Sequence, residues 1–324
     1  MKAFFVGVDV GKTNIRVGTT EETPLLTYFN KRPYSSNSPE ELDACVSSAI
    51  DAALPHSQLD SSALGGIGIG VPGIVDRSSG KVLFGPGFDY MNGYSVTHAL
   101  SSRFGVPVVA DVDPVMATWG ENWAGIGCDC RNFAVITWGT GIGAGLVLHG
   151  EVFESKNNLF PEFGHSIVSD DNRSCICGAN GCLNALASGS GIAQYGQIAL
   201  ENEQKTILKE LSKSNSGCVS SFMVFEAAEQ GDDVARKILQ RVGILIGRLC
   251  VNIVYTVQPE KIVIVGGLAE RESCVLDTIR ETLEKNCWLI FRDYMKCTVV
   301  FSTLGDTAGV LGAIRKVQVK IGHG

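Results

Sequence analysis

Apolar residues in this chain gather in short unbroken runs: AFFVGVD at 3–9, LGGIGIG at 64–70, VPVVAD at 106–111, NFAVITW at 132–138, GAGLVLHG at 143–150 and KIVIVGG at 261–267. Runs of this length, bounded by Gly, Asn and Asp, predict buried strands. Helical patterns separate some of them. Ser38-Pro39-Glu40-Glu41 reads as a capping box with proline at the first helical position, so a helix should run from there to about Leu54. A second helix should cover 233–257, where apolar positions crowd every face toward the end and predict burial. Strands interleaved with helices indicate an α/β protein, and strands that follow one another without a helix indicate a mixed sheet. The polar stretch SKSNSGCVSS at 212–221 predicts a loop.

The first run leads into VGVDVGKTNIR, whose Gly11-Lys12-Thr13 looks like the end of a P-loop. A P-loop needs a glycine five residues before Gly11, and that position is Val6, inside the strand. What remains is a strand ending in Asp9, a Gly/Thr turn and a second strand, IRVGTT. Such a hairpin could be an ordinary polar turn. It could equally hold Mg²⁺ through the carboxylate and phosphate oxygens through the Gly and Thr donors. The pattern recurs: NFAVITW ends in GTGIG and leads to GAGLVLHG. Two strand-turn-strand units rich in small residues fit the duplicated phosphate grip of actin-like sugar kinases rather than a P-loop ATPase.

Composition narrows the class. The chain has 324 residues, 45% of them hydrophobic, enough for a large core and about two domains. A net charge of −7 and a pI near 5.3, with no basic stripe, argue against nucleic acid as the main partner. No apolar run approaches 18 residues and MKAFF flows straight into a strand, so neither a membrane span nor a signal peptide is expected and the setting should be cytoplasmic. The 11 cysteines are odd in number, and three crowd one segment, which suits a reduced protein with a metal site. Cys128 and Cys130 form a C-x-C with no further ligand nearby and read as incidental.

The most specific signal is EFGHSIVSDDNRSCICGANGCLN at 162–184. His165, Cys175, Cys177 and Cys182 offer one imidazole and three thiolates within 18 residues, a donor set for closed tetrahedral Zn²⁺. Gly178 and Gly181 permit the tight turns this needs. With all four positions filled, such a site is structural.

At this point the chain resembles the ROK family (repressors, open reading frames and sugar kinases) over residues 4 to 315. The matching pieces stand in family order: DVGKTNIR, GIGVPGIVD (68–76), DVDPVMATWGE (111–121), WGTGIGAG (138–145), EFGH (162–165), CICGANGCLN (175–184), IVIVGG (262–267) and GDTAGVLGA (305–313). The resemblance implies an actin-like (ribonuclease H-like) two-domain sugar-kinase fold with a cleft between lobes. An N-terminal lobe would span 1–115, with the tail 301–324 packed back on it, and a second lobe 116–300 would carry the zinc segment. It implies transfer of the γ-phosphoryl group of ATP to a hydroxyl of a hexose, amino sugar or cyclitol, by a homodimer. Counting back from Gly120-Glu121 places the catalytic base on Asp113 rather than Asp111. Asp113 also precedes Pro114 and a helical pattern, so it could serve as an N-cap as well. Glu162 would bind sugar hydroxyls, and His165 would turn one ring nitrogen to zinc and the other to the sugar, fixing the substrate wall. Asp9, Gly11, Thr13, Gly139, Thr140 and Gly141 would hold the phosphates and Mg²⁺, and Gly266 and Gly267 the adenosine. Gly73 lies in the substrate motif. Arg16 closes the first motif, either against ligand or in a buried ion pair.

Three positions depart from the family. Val112 replaces the Asn before the base, Gly87 in Pro86-Gly87-Phe88 stands at an Asn position, and Asn184 replaces a Glu. Each lost partner should cost glucose roughly 1–3 kcal/mol if its hydroxyl stays buried unpaired, so glucose should be a poor acceptor. Asp89, Tyr90 and Asn92 are candidates to replace the missing groups. Two other functions compete with the kinase. A repressor would need a DNA-reading module before Asp9, for which eight residues leave no room. A catalytically inactive sugar sensor is the remaining alternative, and the intact Asp9, Asp113 and Gly/Thr turns count against it.

Overall fold

The computed structural model describes residues 3–57, 60–85, 87–155, 159–271 and 274–322; Pro86 lies outside them. Twelve strands stand among the described residues: β1 Phe4–Val10, β2 Asn14–Thr20, β3 Tyr28–Pro33, β4 Leu64–Val71, β5 Ile74–Asp76, β6 Lys81–Phe84, β7 Val108–Val112, β8 Phe133–Trp138, β9 Ile142–Leu148, β10 Glu151–Val152, β11 Lys261–Val265 and β12 Thr298–Phe301. They form a sheet ordered β3-β2-β1-β4-β7, a second ordered β10-β9-β8-β11-β12, and the β5-β6 hairpin. The first sheet is mixed as expected: β1 pairs antiparallel with β2 and parallel with β4.

The helices are α1 Pro39–Ala53, α2 Val96–Phe104, α3 Asp113–Trp123, α4 Leu183–Ala187, α5 Gly189–Glu201, α6 Leu208–Leu211, α7 Ser221–Glu229, α8 Asp233–Val257, α9 Cys274–Asn286, α10 Leu289–Met295 and α11 Ala308–Lys320. Local chemistry sets their ends. The Ser38 hydroxyl accepts from the Glu41 N–H at 3.2 Å, and the Glu41 carboxylate accepts from Asn37 N–H at 2.7 Å, one residue before the cap. Asp232 caps α8 by accepting from the Ala235 N–H at 2.9 Å. Helix α8 is long and apolar enough, by length and composition, to cross a bilayer. Its apolar face instead packs on α9, α7 and α4, the arrangement of a core helix. The stretch 212–221 is not a plain loop: Ser212–Asn215 form a 3₁₀ turn, and Ser220 caps α7.

The chain divides into two compact units. The first comprises residues 1–129, 145–160 and 303–324, the second residues 130–144 and 161–302. The first unit thus runs past residue 115, because α3 packs along α11 and α11 packs on β1 and β4. Phe5, Val310, Ile314 and Val317 form the apolar seam there. The contact is close because it is lined with glycine: a Cβ at Gly68 would overlap the backbone of Ala313, and one at Gly312 the carbonyl of Met116. Gly312→Ala should therefore destabilise the fold by about 1–3 kcal/mol, the usual range for overpacking. Urea unfolding checks this, and an unchanged midpoint would count against the close seam. In the second unit Trp138 is fully buried, meets the Phe225 ring edge-on at 5.9 Å and donates from Nε1 to the Ala187 carbonyl at 2.8 Å.

Candidate active site

Two carboxylates at the end of β7 have different environments. Asp111 is 1% exposed. Its Oδ1 accepts from the Val112 N–H at 2.8 Å, while Oδ2 accepts from Arg77 Nε at 2.8 Å and from Lys316 Nζ. Lys316, itself buried, also reaches Glu154. Asp111 is thus locked in a buried ion network with no face left for a substrate hydroxyl. Asp113 is half-buried at the first position of α3. It is not the N-cap: Val112 takes that position with extended backbone (φ −77°, ψ 149°) and makes no side-chain cap. A carboxylate in the first turn still meets the positive end of the helix dipole.

The turn between β1 and β2 is tight. Gly11 N–H donates to Asn14 O at 3.0 Å, Tyr34 donates its hydroxyl proton to Gly11 O at 2.8 Å, and Lys12 and Thr13 are exposed. Val6 lies inside β1, paired across from Thr19, so no P-loop can form. Asp9 and Arg16 face each other in register across the two strands, and Arg16 Nη1 lies 3.2 Å from Asp9 Oδ2. Arg16 Nε lies 2.5 Å from Asp306 Oδ1, and Lys31 Nζ 2.7 Å from Asp306 Oδ2. Arg16 is therefore an ion-pair residue. Burial raises the Asp9 carboxyl above its ordinary range, against the pull of Arg16.

In the second unit the turn after β8 is also closed by a glycine N–H, over a shorter span. Gly139 N–H donates to Gly141 O at 3.0 Å, and the start of α5 closes over it: Gly189 N–H donates to Gly139 O at 2.8 Å, and Ser190 Oγ to Thr140 O at 3.1 Å. Asn184 Oδ1 accepts from the Ile142 N–H at 2.8 Å. The residue standing in place of the family Glu is thus committed to holding this turn. Gly266, with φ +121°, lets the chain after β11 pass against the Trp138 carbonyl, and beside Gly267 there is open space.

His165, Cys175, Cys177 and Cys182 come together: their four ligand atoms all lie within 4.8 Å of one another. Gly178 and Gly181 turn the chain with φ of +92° and +73°. His165 Nδ1 is 3.4 Å from Cys175 Sγ, and Cys177 Sγ is 3.6 Å from Cys182 Sγ. Tetrahedral bonds of about 2.3 Å to sulfur and 2.0–2.1 Å to nitrogen imply ligand separations of about 3.6–3.8 Å, so these residues fit a zinc ion. The other ring nitrogen, Nε2, faces Glu162 Oε2 at 3.9 Å. Burial raises the Glu162 carboxyl, opposed by His165.

The remaining predicted site residues divide. The Val112 side chain is 1% exposed and belongs to the core. Gly87 is exposed with φ +76°. Gly73 has φ +106°, and a Cβ there would overlap the Phe84 carbonyl, so it serves the backbone of the β5-β6 hairpin. Asn92 Oδ1 accepts from the Gly85 N–H at 3.0 Å and Tyr90 bonds to Ser36 at 2.6 Å, while Asp89 is exposed. Asp306 and Lys31 were missed. Asp306 stands in GDTAGVLGA, immediately before α11, and that placement was the available signal.

The sequence profile of the ROK family matches residues 5–319. A glucokinase of Thermotoga maritima is 30% identical over 322 residues, 99% of this chain and 99% of that protein. The DNA-binding transcriptional dual regulator NagC of Escherichia coli is 25% identical, spanning 97% of this chain and 75% of its own length. Among solved structures, a ROK family glucokinase from Streptomyces griseus in complex with glucose and AMPPNP superposes with a TM-score of 0.83 at 28% identity, covering 96% of this chain and 98% of that one. The architecture is the two-lobed actin-like α/β fold of those kinases. From its first strand to its last helix, the chain belongs to the ROK family.

Proposed function

We propose that the protein is an ATP-dependent kinase that phosphorylates a hydroxyl of a sugar or sugar-like polyol, with Asp113 as the general base. The observation that carries this reading is the likeness over nearly the whole chain to ROK glucokinases, one of them solved with glucose and AMPPNP; Asp113 stands half-buried at the start of α3, and the neighbouring Asp111 is tied to Arg77 and Lys316. Phosphoryl transfer depends mostly on positioning and charge stabilisation, so one carboxylate that accepts the hydroxyl proton suffices as base. In the first unit, Gly11 and Thr13 would donate to phosphate oxygens and Asp9 would hold Mg²⁺, whose charge offsets that of the phosphates. In the second, Gly139, Thr140 and Gly141 would line phosphate, and Gly266 and Gly267 would let adenosine approach the backbone. His165, Cys175, Cys177 and Cys182 would hold structural Zn²⁺, which fixes the His165 ring beside Glu162 for sugar hydroxyls.

A homodimer working in the cytoplasm, without nucleic-acid or membrane partners, completes the proposal; 11 cysteines present as free thiols suit a reducing compartment. The test is ADP release over a panel of hexoses, amino sugars and cyclitols. Sugars that raise the melting temperature while none releases ADP would favour the sensor reading, for which the likeness to NagC speaks.

The relatives named glucokinase point to glucose, and the departures at Val112 and Gly87 point away from it, whereas Asn184 holds the second turn. Wild-type kcat/KM for glucose should fall below that for another member of the panel. Gly87→Asn, at an exposed position whose φ of +76° an Asn tolerates, should shift the ratio toward glucose by about tenfold, a gain of roughly 1.4 kcal/mol. Glucose used at about 10⁵ M⁻¹s⁻¹ by wild type would overturn the expectation. Val112→Asn and Asn184→Glu are poorer tests, because the first puts an amide into the core and the second removes the oxygen that accepts from the Ile142 N–H.

A further inference from the structure

We propose that Arg16 is a positioning residue for Asp9: it holds Oδ2, leaving Oδ1 as the oxygen that Asp9 presents to a nucleotide-bound cation, while Asp306 holds Arg16 in that pose. The inference deepens the kinase reading and rests on it. Asp9 and Arg16 are cross-strand partners on one face of a paired β-ribbon, so neither backbone can move without the other. The guanidinium is a planar fork that can serve two carboxylates at once: Nη1 lies 3.2 Å from Asp9 Oδ2 and Nε 2.5 Å from Asp306 Oδ1. Asp306 is tied by its second oxygen to Lys31 at 2.7 Å, and its short turn, Gly305–Thr307, runs straight into α11. The anchor of Arg16 is thus a helix start, not a mobile side chain.

The surroundings of Oδ1 are different. A Cβ at Gly309 would come 3.2 Å from it and one at Gly70 3.6 Å, so neither of these neighbours puts a side chain against this oxygen, and the Met116 side chain borders Gly70. Oδ1 also lies beside the first turn of α11. A carboxylate with one oxygen held by a cation and the other in a glycine-lined gap has a single direction in which to offer a ligand. Hard divalent cations choose such oxygens, and a partner that orients a metal-holding carboxylate typically matters about 10- to 100-fold for metal affinity.

Calorimetric titration separates positioning from mere structure. Wild type, Arg16→Met, Arg16→Lys, Asp306→Asn and Lys31→Met are titrated with MgADP and with ADP in EDTA. Arg16→Met should weaken MgADP binding about 10- to 100-fold while metal-free ADP stays within about threefold. Arg16→Lys keeps the charge but not the fork and should lie between. Lys31→Met should stay within about threefold for both forms, since Arg16 keeps its own two partners. Should Arg16→Met not fold, Arg16→Lys and Asp306→Asn carry the same comparison. Equal losses for MgADP and metal-free ADP, or no loss of MgADP binding, would overturn the proposal. Wild-type protein that binds neither form would instead count against the kinase reading itself.

Discussion

Asp113→Asn should lower kcat by two or more orders of magnitude while fold and nucleotide binding persist. The substitution keeps size and shape and removes the ability to accept a proton, help typically worth about 10²–10⁴-fold. The competing view, that Asp113 serves only the helix, makes a different prediction. Asp113 is the first residue of α3 and Val112 its N-cap, so what the helix gains from the carboxylate is the dipole interaction, about 0.3–1 kcal/mol of stability. A loss of 10²-fold in kcat corresponds to about 2.7 kcal/mol on the barrier, beyond what the dipole supplies. The measurement is kcat on the best acceptor from the panel together with the melting temperature. Near wild-type turnover with a lowered melting temperature would leave Asp113 a helix residue and nothing more. Asp111→Asn should behave in the opposite way: it leaves Lys316 and Arg77 short of a buried counter-charge, and breaking a buried pair costs about 3–5 kcal/mol.

Zinc removal should have the second large effect. Purified protein is expected to hold one zinc per chain, and Cys177→Ala should lower the melting temperature and weaken sugar binding together. Both follow from geometry: Cys175, Cys177 and Cys182 sit on one tightly turned segment with its own bridges, Ser174 to Asn180 and Ile167 to Cys182. His165 and Glu162 belong to the segment it closes on, so a loosened metal site loosens the wall that would face the sugar. Metal binding by a site that does not exist in the unfolded chain appears directly as folding energy. Glu162→Gln provides the contrast, weakening sugar binding with zinc content unchanged. Elemental analysis that finds no zinc in active protein would remove the claim.

The features that could be read from the amino-acid sequence are those with local causes. Apolar runs marked β1, β4, β7, β8, β9 and β11, because strands buried in a parallel or mixed sheet need no alternation. The start of α1 was legible from Ser38 and Pro39, since a cap acts within three residues, and α8 from its apolar positions over 233–257. Strand β3 was not: YFNKRP, with Lys31, Arg32 and a closing Pro33, has the polar make-up of a sheet edge, and only its neighbour β2 makes it a strand. The two Gly/Thr turns and the His/Cys cluster were legible as well, because each lies within one short segment.

What the tertiary structure decided is what depends on residues far apart in the chain. Arg16 meets Asp306 across 290 positions and Lys316 meets Asp111 across 205. Neither pairing leaves a mark on local composition, and the second is what separates the buried structural carboxylate from Asp113. Asn184 bonds to Ile142 across 42 positions, which turns an apparent change in the sugar site into a support for the second turn. The unit boundary moved past residue 115 for the same reason: α11 can bury its apolar face only where Gly68 and Gly312 let it lie flush, and the chain must fold before those glycines meet it.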